Sequence, residues 1–182
     1  ESFPENILAS LAVISNFFDL NNISNKFFFN YNLPPGRGDY KIIKFNKKKI
    51  HLIDESYNSN PLSLNFALNN FNKLQINSKR KIILLGDMLE LGKFSKKLHL
   101  DAAKIVNKTN INRVYVYGKR IAYTYNKIRP QKRGKILYSS KDVSNFLKND
   151  IKDGEYLMVK GSNSTGLNEM MKKLKLGKIN AI

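Results

Sequence analysis

Beyond residue 38, short apolar runs and amphipathic stretches take turns along the chain. The runs "YKIIKF" (40–45), "KKIHLIDE" (48–55), "KIILLGD" (81–87), "RVYVYG" (113–118), "KILYSS" (135–140) and "EYLMVKG" (155–161) are brief and rich in Ile, Val, Leu and Tyr, and they predict strands. The central ones are nearly continuous in apolar residues, as expected where helices cover both faces of a parallel sheet. Helical spacing of apolar positions predicts helices over 61–74, 95–108, 119–128, 141–149 and about 165–175. Asn46 and Lys47 separate the first two strands closely enough for a hairpin. This alternation implies right-handed crossovers and an α/β fold, a Rossmann-like, doubly wound, mostly parallel sheet with an N-terminal hairpin.

The segment ahead of it reads differently. In "ENILASLAVISNFF", Ile7, Leu8, Leu11, Ala12, Ile14 and Phe18 recur at helical spacing. The stretch "NLPPGRGDY" follows, and its Pro34, Pro35, Gly36 and Gly38 make the strongest punctuation in the chain. Two domains are expected, residues 1–37 and 38–182.

Ligands of such sheets bind beyond the carboxyl ends of the strands, so the turns there carry the candidate chemistry. In "DESYNSNP", Asn60 can cap a helix opened by Pro61. That leaves Glu55, Ser56, Tyr57 and Asn58 unexplained as a group. In "GDMLELG", Asp87 and Glu90 could hold a cation or an amine, or simply shape a loop, with Ser95 capping a helix over 96–108. His99 falls in the first turns of that helix, where a surface position is expected. In "KGSNSTG", Lys160, Gly161 and Ser162 lead into a helix N-terminus that could take a phosphate or carboxylate, or form a plain small-residue turn. No Walker A loop occurs anywhere in the chain.

Composition narrows the choices. A chain of 182 residues can bury one core, or one core and part of another. The absence of cysteine excludes disulfides and thiolate metal sites, and the distant pair His51 and His99 argues against zinc. No apolar run reaches the roughly 20 residues that span a bilayer. The opening "ESFPENILAS" has no basic n-region or cleavage site, and it reads as a cut within something longer. The net charge is +18, from 32 basic against 14 acidic residues. That balance fits a nucleic-acid-binding module, or a codon bias toward Lys, Asn and Ile. The lysines are scattered and arginine, the better reader of phosphate geometry, is scarce, so no nucleic-acid partner is expected.

Together, "IDESYNSNP", "LLGDMLELG" with "LH" soon after, and "LMVKGSNSTGLNEMM" resemble, in order and separation, the C-terminal part of the Mur ligases. The resemblance is to the UDP-N-acetylmuramoyl-tripeptide–D-alanyl-D-alanine ligase (MurF) type, where "D-D-S-Y-N-A-N-P", "G-D-M-x-E-L-G" and "V-K-G-S-R" are typical. The sister ligase that adds the third amino acid usually has "D-Y-A-H-x-P" at the first motif. Upstream, "PENILASLAVI" is similar to the last helix of the family's central ATPase domain, and "LPPGRGDY" to the join between domains.

The resemblance implies an ATP-dependent amide ligase of peptidoglycan precursor synthesis in the bacterial cytoplasm, monomeric, with no membrane insertion. Its substrates would be UDP-N-acetylmuramoyl-tripeptide and D-alanyl-D-alanine. Residues 1–37 would end the ATPase domain, and the rest would close over ATP. By motif position, Asn6 would contact adenine. Arg37 and Glu55 would meet the ribose or phosphates, and Tyr57, Asn58 and Asn60 would line the cleft. Lys160, Ser162 and Asp87 would face the substrate side. The P-loop and the Mg²⁺ ligands would lie upstream of Glu1, so the chain alone is expected to be inactive. Glu5, Ala9, Glu55 and Asn163 depart from the family's usual His, Asn, Asp and Arg, and Asn163 is left out of the site for lack of the guanidinium fork. Another Mur or folylpolyglutamate-type ligase, with a different amino acid, or a basic nucleic-acid-binding module, is the alternative.

Overall fold

The computed structural model describes residues 3–24, 26 and 35–178. It divides into two compact units, Glu1–Leu33 and Pro34–Ile182. In the first, helix α1 (Phe3–Ile14) is followed by a 3₁₀ turn, Leu20–Asn22, whose Asn21 amide is capped by Asp19. Leu8, Val13, Phe17 and Phe18 are exposed on this unit. Pro34 lies outside the described residues.

The second unit is built on a six-stranded sheet of order β1-β2-β6-β3-β4-β5. Strands β1 (Asp39–Phe45) and β2 (Lys48–Glu55) form the antiparallel hairpin. Asn46 and Lys47 at its tip have φ of 46° and 61°, the mirror-image turn whose twist matches that of the flanking strands. Strands β3 (Lys81–Gly86), β4 (Arg113–Tyr117), β5 (Arg133–Leu137) and β6 (Tyr156–Lys160) continue the sheet, all parallel to β2.

The strand order dictates which helix covers which face. The steps β2 to β3, β3 to β4 and β4 to β5 move in one direction. Right-handed crossovers therefore put α2 (Pro61–Lys73), α3 (Ser95–Lys108) and α4 (Ala122–Lys127) on one face. The return from β5 to β6 places α5 (Ser140–Asn145), which continues as a π-turn over Phe146–Asp150, on the other face. Helix α6 (Leu167–Lys175) joins it there.

The alternation of side chains along β3 matches this division. Ile82 and Leu84 pack with Val143, Phe146, Met171 and Leu174, whereas Ile83 and Leu85 pack with Leu68, Phe71, Ala103 and Val106. Burying a large apolar side chain stabilises by about 1.5–3 kcal/mol each, and both layers are filled with such residues.

Element ends depart from the sequence reading in two places with physical causes. Ser95 does not cap α3. A 3₁₀ turn over Gly92–Phe94 runs straight into the helix, and Ser95 already has helical angles (φ −49°, ψ −52°), so it is the first helical residue. Strand β5 stops at Leu137 because the chain turns toward α5, where Ser139 and Asp142 form a reciprocal capping box.

Candidate functional site

Strand β6 is inserted between β2 and β3, so the turns that follow these three strands share one end of the sheet. They are fastened to each other by residues the sequence had singled out. Lys160, 2% exposed, donates to the Asn58 carbonyl at 2.9 Å. Ser162 is also buried. Its amide donates to the Asp87 carbonyl (3.1 Å), its hydroxyl to the Ser59 carbonyl (3.3 Å), and the hydroxyl oxygen accepts the Leu89 amide (2.9 Å). Gly86 and Gly161 permit this closeness, for a Cβ on Gly86 would stand 2.6 Å from Leu167 Cδ1 and 3.2 Å from Gly161 Cα.

The part of this rim that follows β2 is open to solvent, with Arg37, Tyr57, Asn58 and Asn60 exposed. Gly38 donates to the Asp54 carbonyl (2.7 Å) and Tyr57 to the Gly36 carbonyl (3.0 Å), which lays the 35–38 turn along the 54–57 turn. Arg37 and Tyr57 thereby meet, the guanidinium carbon 4.5 Å from the ring centroid, in a cation–π pair. Tyr57 keeps 41% of its surface exposed. Glu55 lies beside them, close enough that a Cβ on Gly38 would come within 3.1 Å of its Oε1.

The charges of this edge are poised. Burial pushes the Glu55 carboxyl above its ordinary range, against the opposing pull of Lys160 and with Asp54 and Asp39 adding to the rise. Burial likewise pushes Lys160 down, although Glu55 favours its charged form. The ammonium and carboxylate are 3.7 Å apart, nearly dry on the lysine side and partly wet on the glutamate side.

Of the other expected site residues, Asn58 is exposed and its side chain accepts the Ser59 amide. Asn60 caps α2, accepting the Ser63 amide at 2.8 Å while Ser63 accepts the Asn60 amide at 3.1 Å. Asp87 accepts the Ile121 amide at 2.7 Å and so fixes the start of α4. Arg37, Glu55, Tyr57, Asn58, Asn60, Asp87, Lys160 and Ser162 thus fall on adjacent turns at one end of the sheet. Asn6 belongs to α1 in the other unit, and its side chain lies outside the described residues.

His99 requires correction, for it is fully buried rather than on the surface. Its Nε2 accepts the Met88 amide (3.1 Å) and its Nδ1 donates to the Ser95 carbonyl (2.7 Å), tying α3 to the turn after β3. A second group was missed altogether, namely Asp39, Asp54, Asn168 and Lys175 behind the edge. The legible signal was polar residues beside the apolar stripe of α6, Asn168 and Lys175 being seven apart and so on one face.

Residues 41–163 match the family model described as Mur ligase, glutamate ligase domain. The chain belongs to this family. It is 27% identical over 128 residues to the UDP-N-acetylmuramoyl-tripeptide–D-alanyl-D-alanine ligase of Bacillus subtilis (strain 168), covering 69% of this chain and 28% of that protein. The ligase of the same name from Rickettsia prowazekii (strain Madrid E) is 26% identical over 169 residues, 93% of this chain and 36% of the relative. The chain therefore spans about a third of the length of these curated relatives. In fold it is similar to the crystal structure of MurF ligase from Thermotoga maritima in complex with ADP. The TM-score is 0.69 at 21% identity, over 97% of this chain and 38% of that one.

Among the described residues, no group of three or more His, Asp or Glu is arranged to hold a metal ion. Nor, among them, is any helix long and apolar enough to cross a membrane.

Proposed function

We propose that the chain is the lid and amine-side domain of an ATP-dependent ligase that joins D-alanyl-D-alanine to UDP-N-acetylmuramoyl-tripeptide during peptidoglycan precursor synthesis in the bacterial cytoplasm. Residues 1–37 end its ATPase domain, and residues 38–182 form the closing domain. The observation that carries this reading is the Arg37–Tyr57 pair beside Glu55. An exposed guanidinium held over an aromatic ring suits a phosphate chain, and a neighbouring carboxylate suits ribose hydroxyls. Membership of the family and the named activity of the curated relatives support it.

ATP supplies the phosphoryl group that activates the substrate carboxylate. This chain's residues bind and orient. Arg37 and Glu55 hold the nucleotide's polar flank, Tyr57 and Asn58 wall the cleft, and Asn60 aims α2 at it. Lys160, Ser162 and Asp87 keep the three turns in one piece on the substrate side, so the amine meets a pre-set surface. Asn6 is assigned to adenine by its motif position alone. Among the described residues, no group of three or more acids or histidines would hold Mg²⁺.

The test uses the full-length ligase. Phosphate release from ATP should require both the tripeptide nucleotide and D-alanyl-D-alanine. Arg37→Ala should raise the KM for ATP by about tenfold or more, the scale of one charge-assisted contact. The 182-residue chain alone should release negligible phosphate. Robust turnover by that chain, preference for another amine, or an unchanged KM in Arg37→Ala would each overturn the proposal.

A further inference from the structure

Behind the exposed edge lies a buried polar cluster for which the proposed chemistry has no use. Asp54 is fully buried at the end of β2. Its Oδ1 accepts the amide and hydroxyl of Ser56 at 3.0 and 2.5 Å, and its Oδ2 receives Lys175 Nζ at 2.5 Å. The same ammonium reaches Asp39 Oδ2 at 2.7 Å, while Asp39 Oδ1 accepts the Gly36 amide at 2.6 Å. Asn168, also buried, donates to the Ser56 hydroxyl at 3.3 Å. It also stands where a Gly36 side chain would begin, its Nδ2 being 2.5 Å from that Cβ position.

Asp39 and Asp54 are direct cross-strand partners in the β1–β2 ladder. Two carboxylates so placed repel unless a cation lies between them. Lys175, on the last turn of α6 and only 12% exposed, is that cation. Burial works against its charge, yet its hydrogen bonds and attraction to Asp39 and Asp54 hold the ammonium above its ordinary pKa. It therefore fixes two turns at once. Through Asp39 it sets the 36–39 turn that carries Arg37, and through Asp54 the 54–57 turn that carries Glu55 and Tyr57.

We propose that Lys175 is a positioning residue for nucleotide recognition, an ammonium that locks the Arg37 and Tyr57 turns into register from behind. This rests on the reading of Arg37, Glu55 and Tyr57 as the nucleotide edge. Without Lys175, Asp39 and Asp54 separate, the 36–39 turn lifts, and the guanidinium leaves the ring although neither group has been altered.

The test is made in the full-length ligase with Lys175→Met, Lys175→Arg, and Asp39→Asn/Lys175→Met, the last removing one of the two uncompensated carboxylates, and with it their mutual repulsion, should the first fail to fold. Hydrogen exchange should accelerate over residues 35–39 and 54–58 in both Met variants and stay unchanged over β3. The KM for ATP should rise about tenfold, as for loss of one charge-assisted contact, with kcat and the KM for D-alanyl-D-alanine moving less than about twofold. Lys175→Arg should recover most of the loss. Unchanged exchange overturns the proposal, and so does faster exchange with the ATP KM intact, which would leave Lys175 a purely structural strap. An Arg37→Ala control separates the two readings. If it too leaves the ATP KM intact, the nucleotide edge itself has been misassigned and the proposal falls with it.

Discussion

Replacing His99 should loosen the turn that follows β3, and the size of the effect can be worked out from what the ring touches. The ring is fully buried, accepts the Met88 amide at 3.1 Å through Nε2, and donates through Nδ1 to the Ser95 carbonyl at 2.7 Å. Alanine at 99 leaves the Met88 amide without a partner in a dry environment, which costs about 1–3 kcal/mol. The space vacated by the ring adds about 1–2 kcal/mol. Together these should lower the melting temperature by about 5–15 °C for a domain of this size. Glutamine can place its Oε1 near the lost Nε2 and accept the same amide, so His99→Gln should cost only about 1 kcal/mol.

The pH dependence gives an independent check. Burial holds the imidazole below its ordinary pKa of 6.5, and Arg120 works in the same sense, against the Ser95 carbonyl and Asp87. The unfolded chain therefore takes up a proton near pH 6.5 that the folded chain still refuses. Stability from this source is complete above that pH and declines as the pH falls toward the folded-state value. Urea melts of wild type and His99→Gln at several pH values between about 7.5 and 5 should show the gap between them narrowing with acid. A constant gap would refute a neutral, buried His99. Equal losses for Ala and Gln would refute the Met88 hydrogen bond as the origin of the effect.

Two further substitutions probe other supports. Gly118→Ala meets both a φ of +122° and an Asp87 carboxylate 2.6 Å from the new Cβ, so it should cost about 2 kcal/mol or more and free the Ile121 amide; a wild-type midpoint in urea would contradict this. Glu155→Gln breaks the paired contacts of 2.7 and 3.0 Å to Arg113. It should cost about 2–3 kcal/mol, less than for a wholly buried pair because 25% of the Arg113 side chain stays exposed. If Arg113→Met/Glu155→Gln is no more stable than the sum of the single losses predicts, the pair is not coupled.

The parts of the fold set by local pattern were the readable ones. Apolar runs gave all six strands of the sheet to within a few residues, and Asn46–Lys47 marked the hairpin. The rim was readable because a parallel sheet puts its ligand-facing turns at the strands' carboxyl ends. What escaped were features set by packing. His99 lies three, four and seven residues ahead of Ala102, Ala103 and Val106, on the buried stripe of α3, but its place in the helix's first turns made it read as surface. Lys175 resembles one more lysine in "MMKKLK" until the β1–β2 register sets Asp39 opposite Asp54 and requires a cation there. The Arg37–Tyr57 pair spans twenty residues of chain and exists only because Gly36 and Tyr57 share a backbone hydrogen bond.

The basic surplus gains a partial explanation from the same topology. Helices in a parallel α/β layer run opposite to the strands, so the C-termini of α2 to α5 gather at the end of the sheet away from the rim, while α6 ends with Lys175 against the β1–β2 turns. The last carbonyls of each helix have no partner within it and form the negative end of its dipole. Basic side chains fill those positions. Lys81 donates to the Asn72 and Leu74 carbonyls at the end of α2, and Lys132 to those of Val106 and Thr109 after α3. Arg133 serves Asn126 and Ile128 at α4, Lys48 serves Lys148 and Ile151 past α5, and Lys41 serves Lys175 at α6. Lys81 is fully buried and its ammonium contacts only neutral oxygens, and burial alone lowers its pKa. Lysines engaged in this way are turned toward the protein's own carbonyls and are not available to a phosphate backbone. In the runs "FNKKKI" and "NSKRK", Lys48 and Lys81 are the residues that serve helix ends, and each opens a strand. To that extent the positive charge answers the fold's own dipoles.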